Sequence, residues 1–209
     1  VMKEYFGRFG FLKKLQTDLP EVGAPIVPRA WKDITVATTA FGHGISVSPM
    51  QAAAAGAAIV NGGRYIPPTF FPRSQQDADK LATQIISPET SAKMRYLFRL
   101  NAEKGSGRRA NIAGFDVGGK TGTAEKVVGG RYSKDQNVNS FMAAFPMDDP
   151  QYLLLVTIDD PRPEKPGAPR SSGANAVPLA ANILRRIIPM LGIQPRQDMP
   201  AEQILASGH

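Results

Sequence analysis

The sequence predicts an α+β fold in which an antiparallel sheet is flanked by helices. Two observations carry this prediction. In the first half of the chain, apolar residues recur at helical spacing between capping signals. From Ala113 onward the apolar period changes from 3.6 to 2, and the runs become rich in β-branched residues. The connections between these runs are short, so we expect antiparallel hairpins.

Four helices are predicted from caps and periodicity. A short helix ends near Gly10, and an alanine-rich helix covers Met50 to Ile59 after the cap Ser48-Pro49. A third begins at Ser87-Pro88-Glu89, and a fourth covers Ala174 to Leu191. The apolar positions expected to form the buried stripes of the last two helices are Met94, Leu97, Phe98, Ala102, Val177, Ala181, Leu184, Ile188 and Leu191.

Three strands are predicted in the second half. Phe115 and Val117 lead the first strand into a glycine- and threonine-rich stretch. The second covers Val138 to Phe145, and the third covers Tyr152 to Ile158. Because the strands are consecutive and closely spaced, they are expected to form a three-stranded meander.

Length and composition limit the number of domains and the kinds of site that the chain can form. A chain of 209 residues, with 42% hydrophobic and 21% charged residues, is expected to form one globular domain. The absence of cysteine excludes disulfides, thiolate metal sites and cysteine nucleophiles. No apolar run approaches 18 residues and no export leader opens the chain. Because the chain opens on Val1 in the middle of a pattern, we expect a fragment whose missing part carries an anchor or a signal.

The charge is strongly basic. A formal net charge of +7 suits an anionic partner, such as a nucleic acid, a lipid surface or a carboxylate-rich polymer. No zinc-finger, basic-zipper or RNP-like pattern is present in the sequence. Nucleic acid is therefore not predicted as a partner, and neither a cofactor nor a metal is predicted.

The stretch most suited to chemistry is Gly118-Gly119-Lys120-Thr121-Gly122-Thr123-Ala124. It combines one cation and two hydroxyls with three glycines, so a ligand could approach the backbone closely and meet both charge and hydrogen-bond donors. That is the composition of an anion-binding site. A surface turn with a solvated lysine is the plainest alternative.

A nucleotide-binding loop is a second alternative. Gly114 to Thr121 fits the pattern G-x-x-x-x-G-K-[ST]. Such a loop needs a strand before Gly114 and a helix that starts near Lys120, because the phosphate lies on the helix N-terminus. The polar residues 105–112 and the glycine at Gly122 argue against both elements.

The third interpretation is an acyl-transfer site, and it depends on several motifs together. Lys120-Thr121-Gly122 resembles the K-T-G element of penicillin-recognising enzymes. Phe41 to Gln51 is similar to their F/Y-G-x-G-x-x-V-T-P-x-Q segment, and Asn61 to Pro67 to its continuation. The two strands after K-T-G and the last helix also match. Over roughly Tyr5 to Pro195, the chain resembles the C-terminal half of a class B penicillin-binding protein, most closely the cell-division transpeptidases.

The resemblance implies a role for each residue of the motif. Lys120 is expected to set the electrostatic field, and Thr121 and Thr123 to bind the substrate carboxylate. The Thr123 N–H is expected to donate to the oxyanion, while Gly122 lets the acyl group lie close to the strand. Lys120 and Thr123 are thus the catalytic candidates, and Thr121, Gly122 and Thr123 the substrate-binding ones.

The sequence departs from the family in one respect. No serine in the sequence has a lysine three positions later (S-x-x-K) or an asparagine two positions later (S-x-N), and no Y-x-N occurs. By analogy, the serine nucleophile and the second motif are expected upstream of Val1. A catalytically silent module that resembles these proteins remains an alternative.

The resemblance also implies a fold, a location and partners. The fold is that of penicillin-binding proteins and serine β-lactamases, with 1–194 as the C-terminal portion of the transpeptidase domain and 195–209 as a flexible tail. The parent is expected on the periplasmic or extracytoplasmic side of the bacterial inner membrane, reached through an N-terminal anchor. The expected partners are peptidoglycan stem peptides, β-lactams and other proteins of division or wall synthesis.

Overall fold

A computed structural model describes residues 1–163, 165 and 167–196, with the backbone alone at residues 134 and 135. The described residues form two compact units, which divide between Ser91 and Ala92. The sequence predicts one domain, because composition and periodicity carry no signal for a boundary between two compact units.

The first unit is mainly helical. Its helices are α1 (Met2–Arg8), α2 (Asp33–Ala40), α3 (Pro49–Val60) and α4 (Gln75–Leu81), and its short antiparallel strands are β1 (Arg64–Tyr65) and β2 (Thr83–Gln84). The predicted start and end of α3 are confirmed. Ser48 and Gln51 form a reciprocal capping box, and Asn61 caps the other end. Helices α2 and α4 are not predicted from the sequence, because each is about two turns long and has no apolar stripe strong enough to indicate a helix.

Helix α5 (Pro88–Lys104) starts where its cap predicts, since the Ser87 hydroxyl accepts the Thr90 N–H at 3.1 Å. Phe98 and Ala102 are buried as expected, whereas Leu97 is 51% exposed. Leu97 is adjacent to Phe98 in sequence, so a rotation of about 100° between neighbours carries it off the buried face. The buried stripe of α5 is therefore narrower than the sequence predicts.

The second unit contains the predicted meander. Strands β3 (Gly118–Val128), β4 (Arg131–Phe145) and β5 (Tyr152–Asp159) pair antiparallel in the order β3-β4-β5. Phe115 and Val117 precede the first strand in a turn, in which the Val117 N–H donates to the Phe115 carbonyl. The turn Gly129-Gly130 has positive φ at both residues, which glycine adopts without a steric cost. The α+β fold class is confirmed.

Helix α6 (Ala176–Met190) covers the sheet. Pro178 lies in its first turn, where the missing N–H costs nothing, and Pro189 lies in its last turn. Leu191, which the sequence places on the buried stripe, lies just past the helix end and is 37% exposed, so that prediction is wrong. The core side chains between helix and sheet include Val117, Phe141, Phe145, Val156, Val177, Ala181, Leu184 and Ile188.

The chain after α6 makes contacts as far as it is described. The Arg196 N–H donates to the Gly114 carbonyl at 2.7 Å, and the Arg196 guanidinium pairs with Asp148 at 2.8 Å. Residues 197–209 of the predicted tail lie outside the described residues. The expectation of a flexible tail there stays a prediction.

A buried charge cluster ties α5 to the turn before β3. The Arg99 guanidinium lies 3.0 Å from the Asp116 carboxylate and 2.9 Å from the Glu103 carboxylate, and it donates to the Val117 carbonyl at 2.8 Å. All three charged side chains are at most 6% exposed. The two carboxylate contacts are close ion pairs without hydrogen-bond alignment. Burial raises the pKa of the Asp116 carboxyl, while Arg99 acts in the opposite direction.

This cluster predicts an asymmetry between two substitutions. Arg99→Met leaves two buried carboxylates without their cation and is expected to lower the free energy of unfolding by about 3–5 kcal/mol. Asp116→Asn keeps the side-chain shape and leaves one cation beside one anion, so its cost should be clearly smaller. Chemical denaturation of the two variants and the unsubstituted chain measures the difference. Equal losses would contradict this account of the cluster.

The Arg99–Asp116 pair also makes the stability of the fold depend on pH. A folded-state pKa above the ordinary value of 3.8 means that the native protein binds the Asp116 proton more tightly than the unfolded chain. The contribution of Asp116 to stability is therefore complete below 3.8 and is lost as the pH rises through its folded pKa. Relative to the unsubstituted chain, Asp116→Asn should gain thermal stability across that rise, as melting curves at stepped pH would show.

Two glycines of β3 form a matched test of packing. A Cβ at Gly119 would lie 2.6 Å from the Met142 carbonyl oxygen and 2.5 Å from the Phe141 ring, whereas a Cβ at Gly122 would meet only Ser140, at 3.9 Å. Gly119→Ala should therefore destabilise the fold by about 1–3 kcal/mol, the usual cost of overpacking. Gly122→Ala should melt close to the unsubstituted chain. A Gly119→Ala variant of unchanged stability would contradict the close approach.

Candidate active site

Strand β3 presents the four candidate residues. Side chains alternate along a strand, so Thr121 and Thr123 lie on one face, and Lys120 and Gly122 lie on the other. Among the described strands, β3 pairs only with β4, so no described strand pairs with its other edge. The β4 partners of the four residues, in order from Lys120 to Thr123, are Met142, Phe141, Ser140 and Asn139.

This geometry overturns the nucleotide-binding alternative. Residues Gly118–Val128 form one strand, and no helix begins at Lys120. A phosphate loop delivers its ligand to a helix N-terminus, where unpaired N–H groups and the helix dipole meet the anion. The pattern match at Gly114 to Thr121 is accidental, because these residues form a turn followed by the start of β3.

The Thr121 hydroxyl is held by the segment that follows α5. It lies 2.7 Å from the Ser106 hydroxyl, and Ser106 in turn contacts the Asn101 amide oxygen through both its N–H and its hydroxyl, each at 3.1 Å. The Asn101 amide nitrogen donates to the Gly119 carbonyl at 2.7 Å. One asparagine therefore connects the end of α5 to the strand, two residues before Thr121.

The Thr123 hydroxyl is held by the segment that precedes α6. It lies 2.9 Å from the Ser172 hydroxyl and accepts the Ser172 N–H at 3.1 Å. The Ser172 hydroxyl also donates to the Gly122 carbonyl. Ser172 is 1% exposed, so it is a fixed support for the exposed residue Thr123.

Asn139 anchors that second support. Its amide nitrogen donates to the Arg170 carbonyl at 2.6 Å and to the Asn175 side-chain oxygen at 2.9 Å. Asn175 also caps α6 by accepting the Ala176 N–H. Asn139 is fully buried and is the β4 partner of Thr123, so the strand pairing and the 170–175 segment are fixed by one residue.

Lys120 is exposed, and its ammonium donates to the Thr121 carbonyl at 2.6 Å. The structure thus brings a cation, two hydroxyls and a strand edge together within four consecutive residues. Such an arrangement can bind a carboxylate and stabilise a developing oxyanion, because charged and dipolar donors are held in place before the ligand arrives.

Four supporting residues are not predicted from the sequence: Asn101, Ser106, Asn139 and Ser172. The signal at Ser106 was its position in Gly105-Ser106-Gly107, directly after a helix. A Cβ at Gly105 would lie 2.3 Å from the Asn101 side-chain oxygen, so glycine is what permits the close approach. Nothing in the sequence pairs Ser172 with Thr123, since 49 residues separate them.

The described part of the chain contains no group of three histidine, aspartate or glutamate side chains placed to hold a metal ion. None of its helices is both long and apolar enough to cross a bilayer.

Comparison with known proteins identifies a family for most of the chain. The family described as penicillin binding protein transpeptidase domain matches residues 1–185. The chain is 35% identical to the probable peptidoglycan D,D-transpeptidase FtsI of Caulobacter vibrioides, over 95% of this chain and 35% of that protein. It is 36% identical to the stage V sporulation protein D of Bacillus subtilis, over 93% of this chain and 31% of that protein.

A solved structure gives the same result for the fold. The transpeptidase domain of penicillin-binding protein 3 from Burkholderia pseudomallei superposes with a TM-score of 0.81 at 28% identity, over 95% of this chain and 59% of that one. The chain spans about a third of the length of the two curated relatives. With the family match over most of its residues, the chain belongs to the penicillin-binding-protein transpeptidase domain family.

Proposed function

We propose that this chain supplies the K-T-G wall of a serine D,D-transpeptidase. The observation that carries the proposal is the display of Lys120, Thr121 and Thr123 on a strand edge, with both hydroxyls supported from behind by buried or glycine-flanked serines. Family membership supports the same function. Lys120 sets the field, and the threonine hydroxyls bind the carboxylate of the substrate.

The oxyanion donor is the Thr123 N–H. A tetrahedral intermediate needs donors that are already in place, because reorganising them during the reaction would raise the barrier. The Ser172 contacts to Thr123 and to the Gly122 carbonyl hold the peptide group that carries this N–H. Gly122 leaves room for the acyl group, since even a Cβ there would meet only Ser140.

The reaction is acyl transfer through a serine ester. The serine attacks the D-Ala-D-Ala bond of a stem peptide, releases the terminal D-alanine, and passes the acyl group to an amine of a neighbouring stem. A β-lactam acylates the same serine. No serine in the sequence has the S-x-x-K spacing, so the nucleophile comes from a segment outside these 209 residues.

The biological setting follows from the proposed reaction. Peptidoglycan is extracytoplasmic, so the parent acts on the periplasmic or outer side of the bacterial inner membrane, held by an anchor outside this chain, together with other proteins of division or wall synthesis. The net charge of +7 is compatible with an anionic wall or lipid environment.

Labelling with a fluorescent penicillin tests the proposal. The 209-residue chain alone should not be acylated, and the full product of its gene should label stoichiometrically. In that full product, Lys120→Ala is expected to slow acylation about 10²- to 10³-fold, the usual effect of removing one key electrostatic contact. The rate is measured from gel fluorescence against time.

The matched control is Lys126→Ala, on the same strand. Lys126 lies three residues after Thr123 and its ammonium already pairs with Asp159 at 2.8 Å, so its loss should leave the labelling rate nearly unchanged. A full gene product that folds but does not label would overturn the proposal in favour of a silent module. Stoichiometric labelling of the 209-residue chain would show that the nucleophile lies within it.

A further inference from the structure

The hydrogen bonds around Thr121 also determine whether its hydroxyl can donate a proton to a ligand. The Asn101 amide is fixed in orientation, because its nitrogen donates to the Gly119 carbonyl at 2.7 Å. Its oxygen must therefore face Ser106, where it receives the backbone N–H at 3.1 Å. That bond satisfies the Asn101 oxygen whether or not the Ser106 hydroxyl also donates to it.

The Ser106 hydroxyl has one proton and two acceptors within reach. The Asn101 oxygen lies at 3.1 Å and the Thr121 oxygen at 2.7 Å. When Ser106 donates to Asn101, the short contact requires Thr121 to donate its own proton to Ser106. When Ser106 donates to Thr121, the Thr121 proton is free to point away from Ser106.

The two arrangements differ in what they offer a ligand. In the first, the Thr121 hydroxyl can only accept a hydrogen bond from a ligand. In the second, it is a donor, and the hydrogen bond from Ser106 polarises it, because consecutive hydrogen bonds strengthen one another. An anion near Thr121 therefore selects the second arrangement at little cost, since Asn101 keeps its bond to the Ser106 N–H.

We propose that Ser106 is a positioning residue that turns Thr121 into a hydrogen-bond donor for the substrate carboxylate. This inference rests on the proposed function, in which Thr121 binds that carboxylate. Ser106 acts through Thr121 and need not touch the substrate. Its placement depends on its two glycine neighbours, because a Cβ at Gly105 would lie 2.3 Å, and one at Gly107 3.0 Å, from the Asn101 amide.

The test measures acylation of the full gene product by two ligands, a penicillin and its methyl ester. Ser106→Ala should slow acylation by the penicillin about 2- to 10-fold, the range for one lost hydrogen bond. The loss should appear in the concentration dependence and not in the limiting rate. It should be smaller with the ester, because a neutral ester oxygen accepts a weaker hydrogen bond than a carboxylate.

Three variants complete the design. Ser106→Thr keeps the hydroxyl and should restore the rate. Thr121→Val should lose at least as much as Ser106→Ala, and the double variant should lose no more than Thr121→Val alone, because both changes remove the same donor. Ser74→Ala, which removes an exposed hydroxyl that caps α4 by accepting the Asp77 N–H at 3.1 Å, is the serine control and should not change the rate.

Equal losses with penicillin and ester would show that Ser106 supports the fold only, and would overturn the inference. An unchanged rate for Ser106→Ala would overturn it as well, as would additive losses in the double variant. If Ser106→Ala does not fold, Ser106→Cys gives the same comparison, because a thiol is a weak donor of similar shape. Failure of the unsubstituted product to label would instead refute the proposed function.

Discussion

The site depends on the antiparallel pairing of β3 with β4. The register places Thr121 opposite Phe141 and Thr123 opposite Asn139. Phe141 is fully buried in the core, and Asn139 is fully buried beneath the segment that carries Ser172. Because side chains alternate along a strand, a shift of one residue would exchange the threonines with Lys120 and Gly122 and lose both hydroxyl supports.

Close packing keeps this register. The backbone of Gly119 lies against the Phe141 ring and the Met142 carbonyl, at a distance that leaves no room for a Cβ. The glycines before the lysine therefore serve the core, whereas Gly122 faces open space and is available to a ligand. One short motif thus contains two kinds of glycine, and only the structure separates them.

The two threonines are supported by different parts of the chain. Ser106 follows α5, and Ser172 precedes α6, so each hydroxyl is fixed by a segment adjoining a helix that packs in the second unit. The cluster of Arg99, Glu103 and Asp116 holds α5 to the turn before β3, with guanidinium contacts of 2.9 Å and 3.0 Å. Rigid elements on both sides keep the donors in place before a ligand arrives, which is what electrostatic catalysis requires.

The sequence by itself determined the fold class, the meander, both ends of α3, the start of α5 and the K-T-G stretch. These follow from local periodicity, from caps within three residues of a helix start, and from a motif of consecutive residues. It did not indicate the short helices α2 and α4. It also placed Leu97 and Leu191 on buried faces, whereas both side chains are exposed in the structure. Only the tertiary structure decided that Gly114 to Thr121 is a turn and a strand, and that Asn101, Ser106, Asn139 and Ser172 support the site. The reason is physical: those hydrogen bonds join residues 15 to 49 positions apart, and local patterns carry no information about contacts made at such separations.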